Sequence, residues 1–461
     1  MIARLRKFIS TQCDIYLQLD KYEKLKLLYL SISFFFIIGS YSILRSLKAS
    51  IFLALVGKNY LPLAKIMGII LIIPIMIVYA KIIDNLKRYQ VIFLFLILYA
   101  IFGFIFAGIL SHSVYGVSNT LTSPYRITGW LFEILMDLYQ ALVVSTFWSY
   151  VNSVSTPSFA RKSYGLIVAS SRTGGVISTF IGYVILDCNF ISGNYSIPLM
   201  IIFSSFLLFT AAYFIHKIAW NIPYEHLHGY EAAYQASKQR QSLGGLEGLK
   251  LIITQPYVFG IFWLVACFEM ISIIFDYKMQ VLMSIAHNND IYNMSKFMFM
   301  YTGTFQVVSL FFALIGTTTL LKKMGVTPCL LIMPIATFML ILFLSCYPTL
   351  YTVFILMVIL RALHYGFNSP IREILYIPTV KDIKFKSKAW IDSFGRTFSK
   401  SSGSTVNILT IVQQTVFGFS IETFATFSIT FVWFFISLLI GKKYNTTILN
   451  NDVIGTNKTQ D

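Results

Sequence analysis

Residues 90–111 read QVIFLFLILYAIFGFIFAGILS, without one charged side chain. The apolar residues occupy every face of a helical wheel, so a helix here has no side for water. At about 1.5 Å rise per residue the run can cross the ~30 Å hydrocarbon core of a bilayer. Working outward, runs of the same kind recur at 27–46, 61–83, 127–150, 164–186, 197–217, 256–276, 296–320, 326–346, 351–369, 401–418 and 422–441. The fourth, tenth and eleventh runs are the least apolar; Glu133, Asp137, Arg361 and His364 interrupt them. Such residues belong on a cavity, not against lipid.

The whole chain agrees with this reading. Of 461 residues, 57% are hydrophobic and 12% charged, against about 25% charged in soluble domains. That excludes an ordinary soluble protein and a disordered one. The net charge of +17 invites a nucleic-acid reading, but the cations have a topological pattern. They gather in alternate joints: Arg4, Arg6 and Lys7; Lys81, Lys87 and Arg88; Arg161 and Lys162; Lys238 and Arg240; Lys322 and Lys323; Lys381 to Lys388; Lys442 and Lys443. The joints near 112–125, 188–196, 347–350 and 417–423 have no Lys or Arg. Cytoplasmic loops collect such cations, so twelve spans with both termini cytoplasmic are expected, and no nucleic-acid partner.

The expected fold is an all-α polytopic membrane protein with about twelve transmembrane helices in a major-facilitator-like six-plus-six arrangement. Its parts are a cytoplasmic leader (1–26), an N-terminal half (27–217), a cytoplasmic linker (218–255), a C-terminal half (256–441) and a cytoplasmic tail (442–461). Two short segments hint at a repeat. RKSYG (161–165) precedes Arg172-Thr-Gly-Gly, and SKAWI (387–391) precedes Lys400-Ser-Ser-Gly. The leader lacks the apolar core of a signal peptide and the length of a plastid transit segment, which points to a bacterial inner membrane.

No GxxxxGK[ST] loop, HExxH or GxSxG is present, so ATP hydrolysis, metalloprotease and lipase chemistry have no support. The five cysteines have no metal-ligand spacing, so no metal, cofactor or catalytic residue is expected. What remains is charge at membrane depth. Lys48 lies just past the first run; Asp137 and Glu133 share a face of the fourth helix. Arg172 enters the fifth. Glu269 lies deep in the seventh, which Asp276-Tyr277-Lys278 closes. Arg361 and His364 share a face of the tenth, followed by Arg372 and the helix-breaking Tyr376-Ile377-Pro378; Lys400 enters the eleventh. Cations outnumber acids in this set, which suits an anionic solute.

Four blocks then carry a resemblance. They are YSILRSLK (41–48), with LPLAK (61–65) and KIID (81–84); FWSYVN (147–152) with ARKSY (160–164); DYK (276–278); and REILYIP (372–378) with AWID (389–392) and Gly403. In order and content they resemble the bacterial and plastid ATP/ADP translocase family, nucleotide carriers of obligate intracellular bacteria. The resemblance covers most of the chain. It implies exchange of ATP for ADP or a broader nucleotide set, with Lys48, Asp137 and Arg372 at the family's charged positions. The pattern departs at Ala49, Ile274 and Arg172.

The substrate-binding and translocation residues implied are Lys48, Asp137, Arg172, Asp276, Lys278, Arg372 and Lys400. Asp137 and Asp276 would pair with cations until substrate displaces them. Two other readings stay open. One is a proton-coupled symporter of another anion, with Glu133, Asp137 or Glu269 carrying the proton. The other is a non-transporting membrane receptor on the same fold. No obligatory protein partner is indicated.

Overall fold

A computed structural model describes residues 19–188, 193–227, 247–315, 324–380, 383, 387–412, 415–416, 419–450 and 452–455. Most of the leader, linker residues 228–246 and the last six residues lie outside the described set.

The helices begin where capping chemistry permits. At Asp20 the backbone N–H donates to Glu23 Oε2 at 3.4 Å, and helix α1 follows over Lys21–Leu55. An acid in the first turn suits the positive end of the helix dipole. Then come α2 (Leu61–Asn85), α3 (Arg88–Ser111), α4 (Ile127–Val154), α5 (Pro157–Asp187) and α6 (Gly193–Asn221). After a short helix at Glu247–Thr254 follow α7 (Pro256–Ala286), α8 (Ile291–Ile315), α9 (Val326–Cys346), α10 (Leu350–Ile374), α11 (Arg396–Val412) and α12 (Ile421–Leu449). A two-stranded hairpin, Thr415–Val416 with Phe419–Ser420, turns the chain between α11 and α12. Among the described residues, α1, α3, α4, α6, α7, α9, α10 and α12 are long and apolar enough to cross a membrane by themselves. The chain is a polytopic helical membrane protein.

Two helices run further than their apolar segments. The first was expected to end near 46 and the seventh near 276, but α1 continues to Leu55 and α7 to Ala286. Lys48, Asp276 and Lys278 are therefore inside helices, not at their ends. Hydropathy registers the polar side chains. The backbone continues because partners on other helices satisfy those side chains.

The described chain forms two compact units. The first holds residues 1–60, 70–237 and 284–306; the second holds 61–69, 238–283 and 307–461. In the first, α1 packs most extensively on α5 and α6, and α3 packs along α6. Close approach depends on small residues: a side chain at Gly174 would strike the carbonyl of Phe35, and one at Gly39 would strike Ser178. This is how helices associate where lipid offers no hydrophobic drive. Lys26, the last residue of the expected cytoplasmic leader, is buried in this unit. Its ammonium donates to the carbonyls of Val154 at 3.0 Å and His226 at 3.1 Å. Val154 ends α4, where a cation is favourable. In the second unit α9 packs along α12, as α3 does along α6.

Helices α4 and α10 share one irregularity. Each contains a single π turn, at Gln140–Val144 and His364–Asn368. Such turns cluster at functional sites.

Candidate functional site

In the first unit, α1 and α4 meet through charge. The Lys48 ammonium lies 2.5 Å from Asp137 Oδ1 and 3.3 Å from Glu133 Oε1. The two acids are one turn apart on α4, so both face α1. The environments differ: the side chain of Glu133 is 1% exposed, Lys48 15% and Asp137 39%. The same face of α1 carries Tyr41, stacked on Tyr139 with ring centroids 5.3 Å apart. Tyr139 donates to the Ile37 carbonyl at 3.0 Å. Arg45, in the same block, lies over Phe305 at 5.5 Å.

In the second unit, α7 and α10 meet the same way. Arg361 Nη2 donates to Asp276 Oδ1 at 3.1 Å, and Gln280 donates to Asp276 Oδ2 at 2.9 Å. Asp276 opens on a small cleft that Lys65, Gln280, Ser404 and Asn407 also line. His364, one turn after Arg361, starts the π turn. Its ring stacks on Phe268 with centroids 3.5 Å apart.

A second charged group in this unit links α7, α10 and the start of α11. Arg372 approaches Asp392 at 3.6 Å; Arg396 bonds Asp392 at 3.0 Å and approaches Glu269 at 3.6 Å. Lys388 reaches Glu373 at 2.5 Å. Arg372 and Glu373 are adjacent and point apart, and each finds its partner elsewhere, as adjacency on a helix requires. Lys278 pairs with Glu422 on α12 at 3.0 Å.

The structure thus joins Lys48 to Asp137 directly. Asp276, Lys278 and Arg372 bind partners that the sequence did not assign to them. Arg172 is half-buried on α5, and Lys400 is exposed on α11. Glu422 and Arg396 are partners the sequence reading did not single out, and Asp392 entered it only within the AWID block, although Asp392 and Arg396 stand at the i, i+4 spacing of a helical ion pair. Among the described residues no His, Cys, Asp or Glu group could hold a metal ion.

The family model for the TLC ATP/ADP transporters matches residues 4–444. The chain belongs to that family. ADP,ATP carrier protein 1 of Rickettsia prowazekii is 25% identical over 502 residues, covering 98% of this chain and 99% of the carrier. ADP,ATP carrier protein 3 of the same organism is 22% identical over 436 residues, covering 82% and 85%. Solved structures of similar fold include the POT family transporter PepTSo, with TM-score 0.59 at 12% identity over 93% of this chain and 99% of that one. A D-xylose-proton symporter has TM-score 0.57 at 14% identity over 95% and 100%. These likenesses support the major-facilitator-like helical fold. As a TLC family member the chain is an integral multi-pass transporter of the ATP/ADP type, and its ion pairs lie on helices that family blocks mark: YSILRSLK on α1 and DYK on α7.

Proposed function

We propose that this chain exchanges ATP for ADP, or closely related nucleotides, across a bacterial inner membrane, with both termini cytoplasmic. Residues 27–217 and 256–441 act as two halves that rock about a site near the bilayer midplane, joined by the 218–255 linker. One observation carries the reading: Lys48 is held between Asp137 and the buried Glu133 on the facing helix. An intramembrane cation held by acids suits an anion that can displace one of them. Incoming phosphate oxygens replace the carboxylate of Asp137, the more exposed acid, while Glu133 keeps hold of the α4 side. The differential affinity of substrate for the opened pair is what shifts the conformational equilibrium. Arg372, Lys278, Arg172 and Lys400 supply further positive charge along the path. No bond of the nucleotide breaks, so no catalytic residue, metal or cofactor is required; the two nucleotide gradients supply the drive. No protein partner is needed for two halves to enclose a path.

The test is uptake of labelled ATP, ADP, other nucleotides and phosphate into proteoliposomes, with and without internal counter-substrate. Uptake that requires internal nucleotide supports exchange. Uptake that collapses with an uncoupler and ignores internal nucleotide would replace it with proton symport, and no nucleotide flux in an active preparation would sink it.

A further inference from the structure

Parts of the two units match at two sequence offsets, 228 and 224 residues. In the first, a side chain at Gly175 of α5 would press on Ser42 of α1; in the second, one at Gly403 of α11 would press on Met270 of α7. Lys48 and Asp276, which anchor the two ion pairs, obey the same spacing (270 − 42, 403 − 175 and 276 − 48 are each 228). The π turns of α4 and α10 begin at Gln140 and His364. Asp137 and Arg361, the other members of the pairs, stand the same distance before them (364 − 140 and 361 − 137 are each 224). Each unit therefore places an ion pair at one matched position between its first and fourth helices. The polarity is reversed. The cation is on the first helix in one unit and on the fourth in the other.

We infer that Arg361 is the second unit's phosphate-binding cation, the counterpart of Lys48, and that Asp276 holds it until substrate arrives. This rests on the exchange reading above. Two features of the second unit point to a phosphate group. Asp276 opens on a cleft also lined by Lys65, so displacing the Asp276 carboxylate brings a second cation to the same place. The Ser404 hydroxyl, buried and without a hydrogen-bond partner among the described residues, lines that cleft and can donate. A guanidinium also binds phosphate in bidentate fashion, which the ammonium of Lys48 cannot do. The second unit then offers phosphate a cation unlike the one in the first.

The experiment uses the full chain in ADP-loaded proteoliposomes. KM and rate are measured for labelled ATP, ADP and AMP in the wild type, Arg361→Gln, Arg361→Lys, Asp276→Asn and, as a control ion pair, Lys296→Gln. Arg361→Gln is expected to raise KM most for ATP and least for AMP, so that the preference for ATP over AMP shrinks about tenfold. Arg361→Lys restores part of it. Asp276→Asn releases Arg361 and lowers KM for ATP, and Lys296→Gln changes nothing. If Arg361→Gln fails to assemble, Asp276→Asn decides alone. Equal changes for all three nucleotides, or none, in Arg361→Gln and Asp276→Asn would reduce the pair to a strut between α7 and α10 and overturn the inference while leaving exchange intact. A wild type that exchanges no nucleotide overturns the exchange reading and this inference with it.

Discussion

The first unit joins α1 to α4 with one cation between two acids; the second joins α7 to α10 with one cation, one acid and an amide. The bridges match in position and differ in exposure. Asp137 is 39% exposed, whereas Asp276 is 16% and Arg361 11%. An ion pair at a wet edge exchanges partners cheaply, and one taken out of water loses its partner only when a good replacement arrives. On the exchange reading proposed above, the Asp137 arm of the first unit's bridge is the one that yields and the second unit's bridge is the latch. Placing opposite charges on matched helices lets both units form a closed, neutralised contact without presenting the same sign on the same helix.

The comparison breaks most severely at Lys48. Lys48→Ala leaves Glu133 buried without its cation, a change of about 3–5 kcal/mol for buried pairs. Counter-exchange is expected to stop, and the unfolding temperature in detergent to drop. A variant with near-normal exchange would show that the two bridges are unrelated to transport. Glu133→Gln is the next test, since it makes the first bridge one cation and one acid like the second. Lys48 is then less restrained, and KM for ATP should fall about threefold, equivalent to ~0.7 kcal/mol. A rise in KM would mean that Glu133 orients Lys48 toward substrate rather than away from it.

The paired glycines sharpen the comparison further. A side chain at Gly403 meets the Ile273 side chain and then the backbone of Met270, whereas at Gly175 it meets only side chains, first the end of Gln306, which can move. Gly403→Ala should therefore destabilise by about 1–3 kcal/mol and Gly175→Ala by less, read from thermal unfolding in detergent. Equal losses would argue against a common packing logic. The smallest effect belongs to the Lys296–Asp187 pair, both of whose side chains are about a third or more exposed. Lys296→Gln should alter stability by less than about 1 kcal/mol and leave exchange unchanged.

The spans were legible because lipid permits no compromise: a run such as 90–111 has one stable solution. Helix ends were less so, as Lys48 and Asp276 illustrate, because hydropathy counts their charge and ignores the partner that compensates it. The participation of Asp137 was readable from its place beside Glu133. The pairing of Asp276 with Arg361 was not, since the two are far apart in sequence and helix rotation decides which face meets which. Lys26 was hidden for a similar reason. Its sequence neighbours make it look like part of a cytoplasmic charge run, and only the end of α4 explains its burial.

The π turns bear on how such helices should be probed. A π turn holds one residue more than the α turn it replaces, so all that follows is rotated by about 100° relative to what precedes. A scan of solvent accessibility along α4, one cysteine at a time, should show a steady beat up to Tyr139 and the same beat, out of step, from Ser145 onward. Along α10 the slip should fall between Leu363 and Ser369. Each helix thus presents two different faces along its length, and removing one residue within the turn would silence the slip and turn the far half of the helix toward the wrong neighbours.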